Sequence, residues 1–140
     1  MKQQQSGIAL LEALIAIVIL SVGLLGAVGL QARAYAALSD AGMRADATMA
    51  AEQLFGIMSN DQTHLSEYAM TAGGTVPARL TSWYTSTKAN IPGNATTVAV
   101  TVTPDTVAGR TAVSVKITWR RNDNGPSNSH LVTSYIAAAS

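Results

Sequence analysis

Residues 1–30 read MKQQQSGIALLEALIAIVILSVGLLGAVGL. From Ile8 to Leu30 the run is 23 residues long, and Glu12 is its only ionisable side chain. At 1.5 Å per residue a helix of about 20 residues crosses the hydrocarbon core of a bilayer, so this run is a candidate span. It is too long for the apolar region of an ordinary secretory signal, and no small-x-small cleavage site follows it, so the segment is expected to stay in the mature chain. Lys2 precedes it and Arg33 follows it, which leaves the positive-inside rule nearly silent. A carboxylate in a membrane helix costs about 2.5–3.5 kcal/mol even on lenient insertion scales, so Glu12 needs a reason to be there. One reason is ordinary: a side chain near the helix end can reach the headgroups.

The remainder of the chain bounds the fold. With 140 residues there is room for one compact domain. Hydrophobic residues make up 48% and charged residues 12%, and the apolar surplus sits at the N-terminal end. No Pro interrupts the stretch from Gln31 to Ser59, so the helix is expected to continue through it, giving about 52 residues and about 78 Å. Gly23, Gly26 and Gly29 recur every third residue in the apolar half, a spacing that lets helices approach closely. Further on, Met43, Ala47, Ala50, Leu54, Ile57 and Met58 recur at three- and four-residue spacing opposite a polar row of Asp40, Arg44, Thr48 and Glu52. That apolar stripe predicts the face that packs on the rest of the chain. From Asn60 to Asn94 the pattern is mostly loop-like, with a short helix expected after Pro77 and through Trp83 and Tyr84. Val98, Val100 and Val102 then alternate with small polar residues up to Pro104, and Val113, Val115, Ile117 and Trp119 alternate more clearly. Asn122–Ser129 reads as a turn and Leu131–Ala137 as a third strand. The expected class is α+β, a long N-terminal helix packed on an antiparallel sheet of about three strands.

The opening motif resembles that of type IV pilin-like prepilins. The likeness rests on a short polar leader, MKQQQSG, ending in Gly7, an apolar residue next at Ile8, and an acidic residue, Glu12, at the fifth position after the leader. The first mature residue of that family is most often Phe, and here it is Ile8. The resemblance implies cleavage between Gly7 and Ile8 by a prepilin peptidase, N-methylation of Ile8, and a role for Glu12 in assembly. It divides the chain into a leader (1–7), a transmembrane and filament-core helix (8–30), the amphipathic half of that helix (31–59) and a periplasmic head (60–140). The layout also resembles the type IV pilin fold. The run from Ser6 to Gln31, the Trp83 segment leading to Ile91-Pro92-Gly93-Asn94, and the strand ending Ile117-Thr118-Trp119-Arg120 look like those of minor pilins. The usual major pilin carries a C-terminal cysteine pair, and this chain has no cysteine.

Chemistry is hard to place elsewhere. His64 and His130 are the only histidines and have no partners at metal-ligand spacing, so neither a metal nor another cofactor is expected. No phosphate loop, nucleophile elbow or zinc-protease motif occurs, which argues against an enzyme. Asp123-Asn124-Gly125 reads as a tight turn, Arg120-Arg121 as a solvated strand end, and Asn94-Ala95-Thr96 as a chance glycosylation sequon. Nine Lys and Arg against eight Asp and Glu give no electrostatic case for nucleic acid. What the resemblance implies is a minor pilin that helps initiate type IV pilus assembly near the tip and so supports adhesion and twitching motility. Its partners would be other minor pilins, the major pilin, the prepilin peptidase and the inner membrane, with the pilus as its final location. The alternative is a pseudopilin of a type II secretion system, which shares the leader, Glu12 and the helix. A membrane-anchored periplasmic enzyme or receptor lacks any supporting polar constellation.

Overall fold

The computed structural model describes residues 6–91, 96–105, 109–120 and 125–137. The elements run helix α1 (Ser6–Ser59), two short 3-10 segments (Gln62–Tyr68 and Ala78–Leu80), helix α2 (Thr81–Asn90), and strands β1 (Thr97–Asp105), β2 (Arg110–Arg120) and β3 (Ser127–Ala137). The chain divides into two units, Met1–Ser39 and Asp40–Ser140. The first unit is helical throughout its described length, and its apolar side chains are exposed.

The second unit is a helix laid on a sheet. Its three strands form an antiparallel meander in the order β1-β2-β3, with Val100 opposite Val115 and Val115 opposite Val132. Alternation sends Val113, Val115, Ile117 and Trp119 inward, where all four are buried, and leaves Lys116 exposed on the other face. Against this face α1 buries Met43, Ala47, Ala50, Ala51, Leu54, Phe55 and Met58. The stripe read from the sequence is therefore the packing face, with one displacement. Ile57 is 38% exposed, while Ala51 and Phe55 are buried. At 3.6 residues per turn Ile57 lies about 60° round the helix from Leu54, on the side away from Phe55. The buried arc is centred nearer Ala51 and Met58.

Three further departures have local causes. The stretch read as loop after Asn60 contains the 3-10 segment Gln62–Tyr68, whose Leu65 and Tyr68 are buried. The helix expected from Pro77 begins as the 3-10 turn Ala78–Leu80 with an extended Pro77 before it, and it continues as α2. The third strand starts at Ser127, not Leu131, because Ser127, Asn128 and Ser129 pair with Arg120, Trp119 and Thr118. Those polar residues carry no apolar alternation that would reveal a strand.

Two contacts fix α2 and the loop on this frame. The indole Nε1 of Trp83 donates to the carbonyl of Ala50 at 2.8 Å, inside the core, so the short helix is tied to α1 by a satisfied buried donor. Val100 exchanges two backbone hydrogen bonds with Met70, of 2.8 and 2.9 Å, on the side of β1 away from β2. Pro104 has the parity of Val100, so its missing N–H falls on that same open side and costs the ladder nothing. The chain then turns at Gly73, whose φ of +74° suits glycine.

Candidate functional site

The first unit concentrates the unusual chemistry. Its large apolar residues from Ile8 to Leu30 are 52–77% exposed, and no residue in its most apolar 18-residue window is buried. That window has a mean hydropathy of 2.8 and is long and apolar enough to cross a membrane. A contiguous apolar surface of this length far exceeds the few hundred Å² that soluble monomers leave open. It calls for lipid or other helices as its surroundings. Ser21, the one hydroxyl in the run, donates to the carbonyl of Ile17 at 2.7 Å and so carries no unmet donor into an apolar medium.

Among the described residues Glu12 has no such internal solution. Ile8, Leu11, Glu12 and Ile15 line one shallow groove along the helix, as spacings of three, four and seven residues require. The carboxylate therefore sits on an apolar face, about 6 Å along the axis from Ile8. Side chains on a helix lean towards its N-terminus, which aims Glu12 at the end where Ile8 stands. Gly23, Gly26 and Gly29 have open space where a Cβ would stand, so the fold of this chain does not itself demand glycine there. They leave a low surface for another helix.

The remaining residues singled out in the sequence fall in three places. Gly7 lies in the first turn of α1. Residues 1–5, the first two residues of the sequon at Asn94-Ala95, and Arg121, Asp123 and Asn124 lie outside the described residues. The two histidines are bonded within the second unit. His130 Nε2 lies 3.0 Å from Thr48 Oγ1, which is also placed to donate to the carbonyl of Arg44 at 2.9 Å; with the hydroxyl proton used there, an Nε2–H of the imidazole donates to Thr48. His64 belongs to a cluster the sequence did not disclose. Asp61 accepts from His64 Nδ1 at 2.7 Å, from the Tyr68 hydroxyl at 2.8 Å and from Arg79, and Arg79 Nε also donates to Glu67 at 2.7 Å. The spacing of Asp61, His64 and Tyr68 is a local signal; the arrival of Arg79, 18 residues away, is not.

This cluster has a pH consequence. Hydrogen bonds from His64 and then Tyr68, helped by the charge of Arg79, hold the Asp61 carboxyl below the usual carboxylate range. Burial, followed by the neighbouring carboxylate, pushes the Tyr68 hydroxyl up, and the Glu67 contact does the same for the Arg79 guanidinium. A depressed carboxyl stabilises the folded head above the unfolded value of about 3.9, and that contribution disappears as pH falls through the folded value. Thermal melts of the wild type and of Asp61→Asn between pH 7 and pH 2.5 are expected to lie furthest apart at neutral pH and to converge at the acid end. Parallel curves would show that Asp61 is not part of the acid response.

Among the described residues no three His, Cys, Asp or Glu side chains converge as a metal site. Against known proteins, residues 2–28 match the family model of the prokaryotic N-terminal methylation motif. The chain is type IV prepilin-like over that stretch. Comparison of the chain with curated proteins and with solved structures gives no match. A prepilin-like motif implies processing by a prepilin peptidase and association with the membrane, and it points to a structural protein of the pilin or pseudopilin type. The long apolar helix fits anchoring in the inner membrane before assembly. The matched stretch ends at Val28, so the motif speaks for the helix and not for the head.

Proposed function

We propose that this chain is a minor pilin of a type IV pilus, taking part in initiation of assembly near the tip and, through the pilus, in adhesion and twitching motility. One observation carries the reading: Glu12 is the sole ionisable side chain of the exposed apolar run Ile8–Leu30, four residues after Ile8, within a matched methylation motif. Cleavage between Gly7 and Ile8 places a cationic amine at the depth of Glu12, and that amine is then N-methylated. In a stack of subunits the carboxylate of one copy neutralises the amine of its neighbour. A pair of this kind adds little net stability, but a shifted register strands both charges in an apolar medium, so the pair selects one axial offset. The head stands in the periplasm while α1 is in the inner membrane, and it moves to the cell surface with the pilus. The partners are the major pilin and other minor pilins. Support for the minor-pilin assignment comes from the likeness of the Trp83 segment and the strand ending at Arg120 to the minor pilin PilV, and from the lack of a cysteine pair.

The test is intact-mass and N-terminal peptide analysis of the chain from sheared surface filaments and, separately, from inner membranes. A chain starting at N-methylated Ile8 in the filaments is the expected result. Processed chain confined to the envelope would instead favour a secretion pseudopilin, and an intact Met1 leader in both fractions would end the prepilin reading. Gly7→Val is expected to block processing, because the larger side chain stands at the scissile position. On a gel the unprocessed form should then replace the mature one, and normal cleavage would remove Gly7 from the site.

A further inference from the structure

We propose that the cleft between α1 and the C-terminal end of α2 is a binding site for a primary ammonium group carried on a short aliphatic chain. The cleft has a volume of about 170 Å³ and lies wholly within the second unit. At about 30 Å³ for a group the size of a water molecule, it takes roughly five or six heavy atoms. Asp46 lines it and is partly buried. Among the described residues no side chain donates to that carboxylate, whereas Asp61 is paired with His64 and Arg79, and Glu67 with Arg79.

The one formal charge of the cleft is the Asp46 carboxylate, which favours a cation. Gln53, Asn90 and the buried Thr87 line the cleft together with Asp46, and each can turn an oxygen towards a bound cation. The C-terminal end of α2, at Asn90, adds the partial negative charge of its last carbonyls. Lys88, the basic residue of that last turn, is engaged elsewhere, with its Nζ 5.6 Å from the centre of the Tyr84 ring. With both carboxamide oxygens turned inward, they and the carboxylate would match the three N–H donors of an ammonium group. A calcium ion asks for six to eight oxygens, and a guanidinium presents five donors in a plane. Met49 and Ile91 supply apolar walls for the methylene chain. The shared chemistry has two sources, a lysine side chain of a neighbouring subunit or a free alkyl diamine.

The site is tested on the full chain in detergent micelles, with 1,5-diaminopentane as the probe, its second ammonium group left outside the cleft. Saturable shifts of the Gln53 and Asn90 side-chain amide resonances are expected, with none from 1-pentanol. Asp46→Asn should weaken binding at least tenfold while its melting temperature stays at the wild-type value. Gln53→Ala, on an exposed helix position, serves as a second variant and should weaken binding less. No saturable shift, or equal binding by Asp46→Asn, overturns the proposal. Carbodiimide treatment of membranes then separates the sources. An amide bond from Asp46 to a lysine of another chain identifies a subunit contact, and coupling only to added diamine identifies a small molecule. Coupling to neither overturns the site. The titration stands independently of the pilin reading; only assignment of the lysine to a pilus partner rests on it.

Discussion

Glu12→Ala is expected to insert into the membrane and to be cleaved like the wild type, yet to be nearly absent from sheared filaments. Insertion cannot suffer, because the substitution removes the one charge from an otherwise apolar span. On the proposed processing, cleavage depends on Gly7 and Ile8 at the leader junction, five and four positions before the carboxylate. Assembly is different. On the proposed pairing, loss of Glu12 leaves the amine of a neighbouring subunit without its counter-charge in an apolar core. Removing one partner of a buried pair costs about 3–5 kcal/mol, far more than the intact pair contributes. A loss of roughly 100-fold in incorporation follows from about 3 kcal/mol, read as the ratio of mature chain in filaments to mature chain in membranes. Glu12→Asp separates charge from geometry: it keeps the carboxylate and shortens its reach by one methylene, so an intermediate loss is expected. Wild-type incorporation of Glu12→Ala would show that the carboxylate has no part in setting the register.

How much of this was visible beforehand depends on the range of the interaction concerned. The long helix was legible because its signals are local: an apolar run without proline and a stripe at three- and four-residue spacing. The first two strands were legible for the same reason, since Val98 to Val102 and Val113 to Trp119 alternate. Glu12 stood out because it is solitary. Features that depend on distant partners were hidden. Ser127 to Ser129 extend β3 only because Thr118 to Arg120 lie alongside to pair with them. His130 finds its hydrogen-bond partner at Thr48, 82 residues earlier, and Trp83 finds its acceptor at Ala50, 33 residues earlier. The Asp46 cleft needs α2 to dock before its walls meet, so nothing in the spacing of α1 announces it. Ile57 shows the limit of the stripe itself. Hydrophobicity and period place it near the face, but only the position of the sheet decides where the face ends.

The second large effect belongs to the head. Leu54→Ala truncates a side chain with no exposed surface, on a helix position where alanine is the better helix former. The loss is therefore one of packing, and substitutions of this kind cost about 2–5 kcal/mol. Against a total of about 5–15 kcal/mol for a domain, that is a substantial fraction. For a unit of this size each kcal/mol lowers the melting temperature by about 4–8 °C, so a fall of roughly 10–25 °C is expected in a calorimetric scan. Trp119 provides the contrast. It is equally buried, but its indole Nε1 has no hydrogen-bond partner among the described residues. An unsatisfied buried donor costs about 1–3 kcal/mol, so Trp119→Phe removes a penalty along with the ring volume it deletes. The two partly cancel, and Trp119→Phe should melt well above Leu54→Ala. Equal losses would mean that Nε1 is satisfied by a bound water and that the indole is held by polarity as well as by fit. Both variants lie in the second unit, so cleavage at Gly7 should proceed in each. Failure of processing in either would mean that the peptidase requires a folded head as well as the leader.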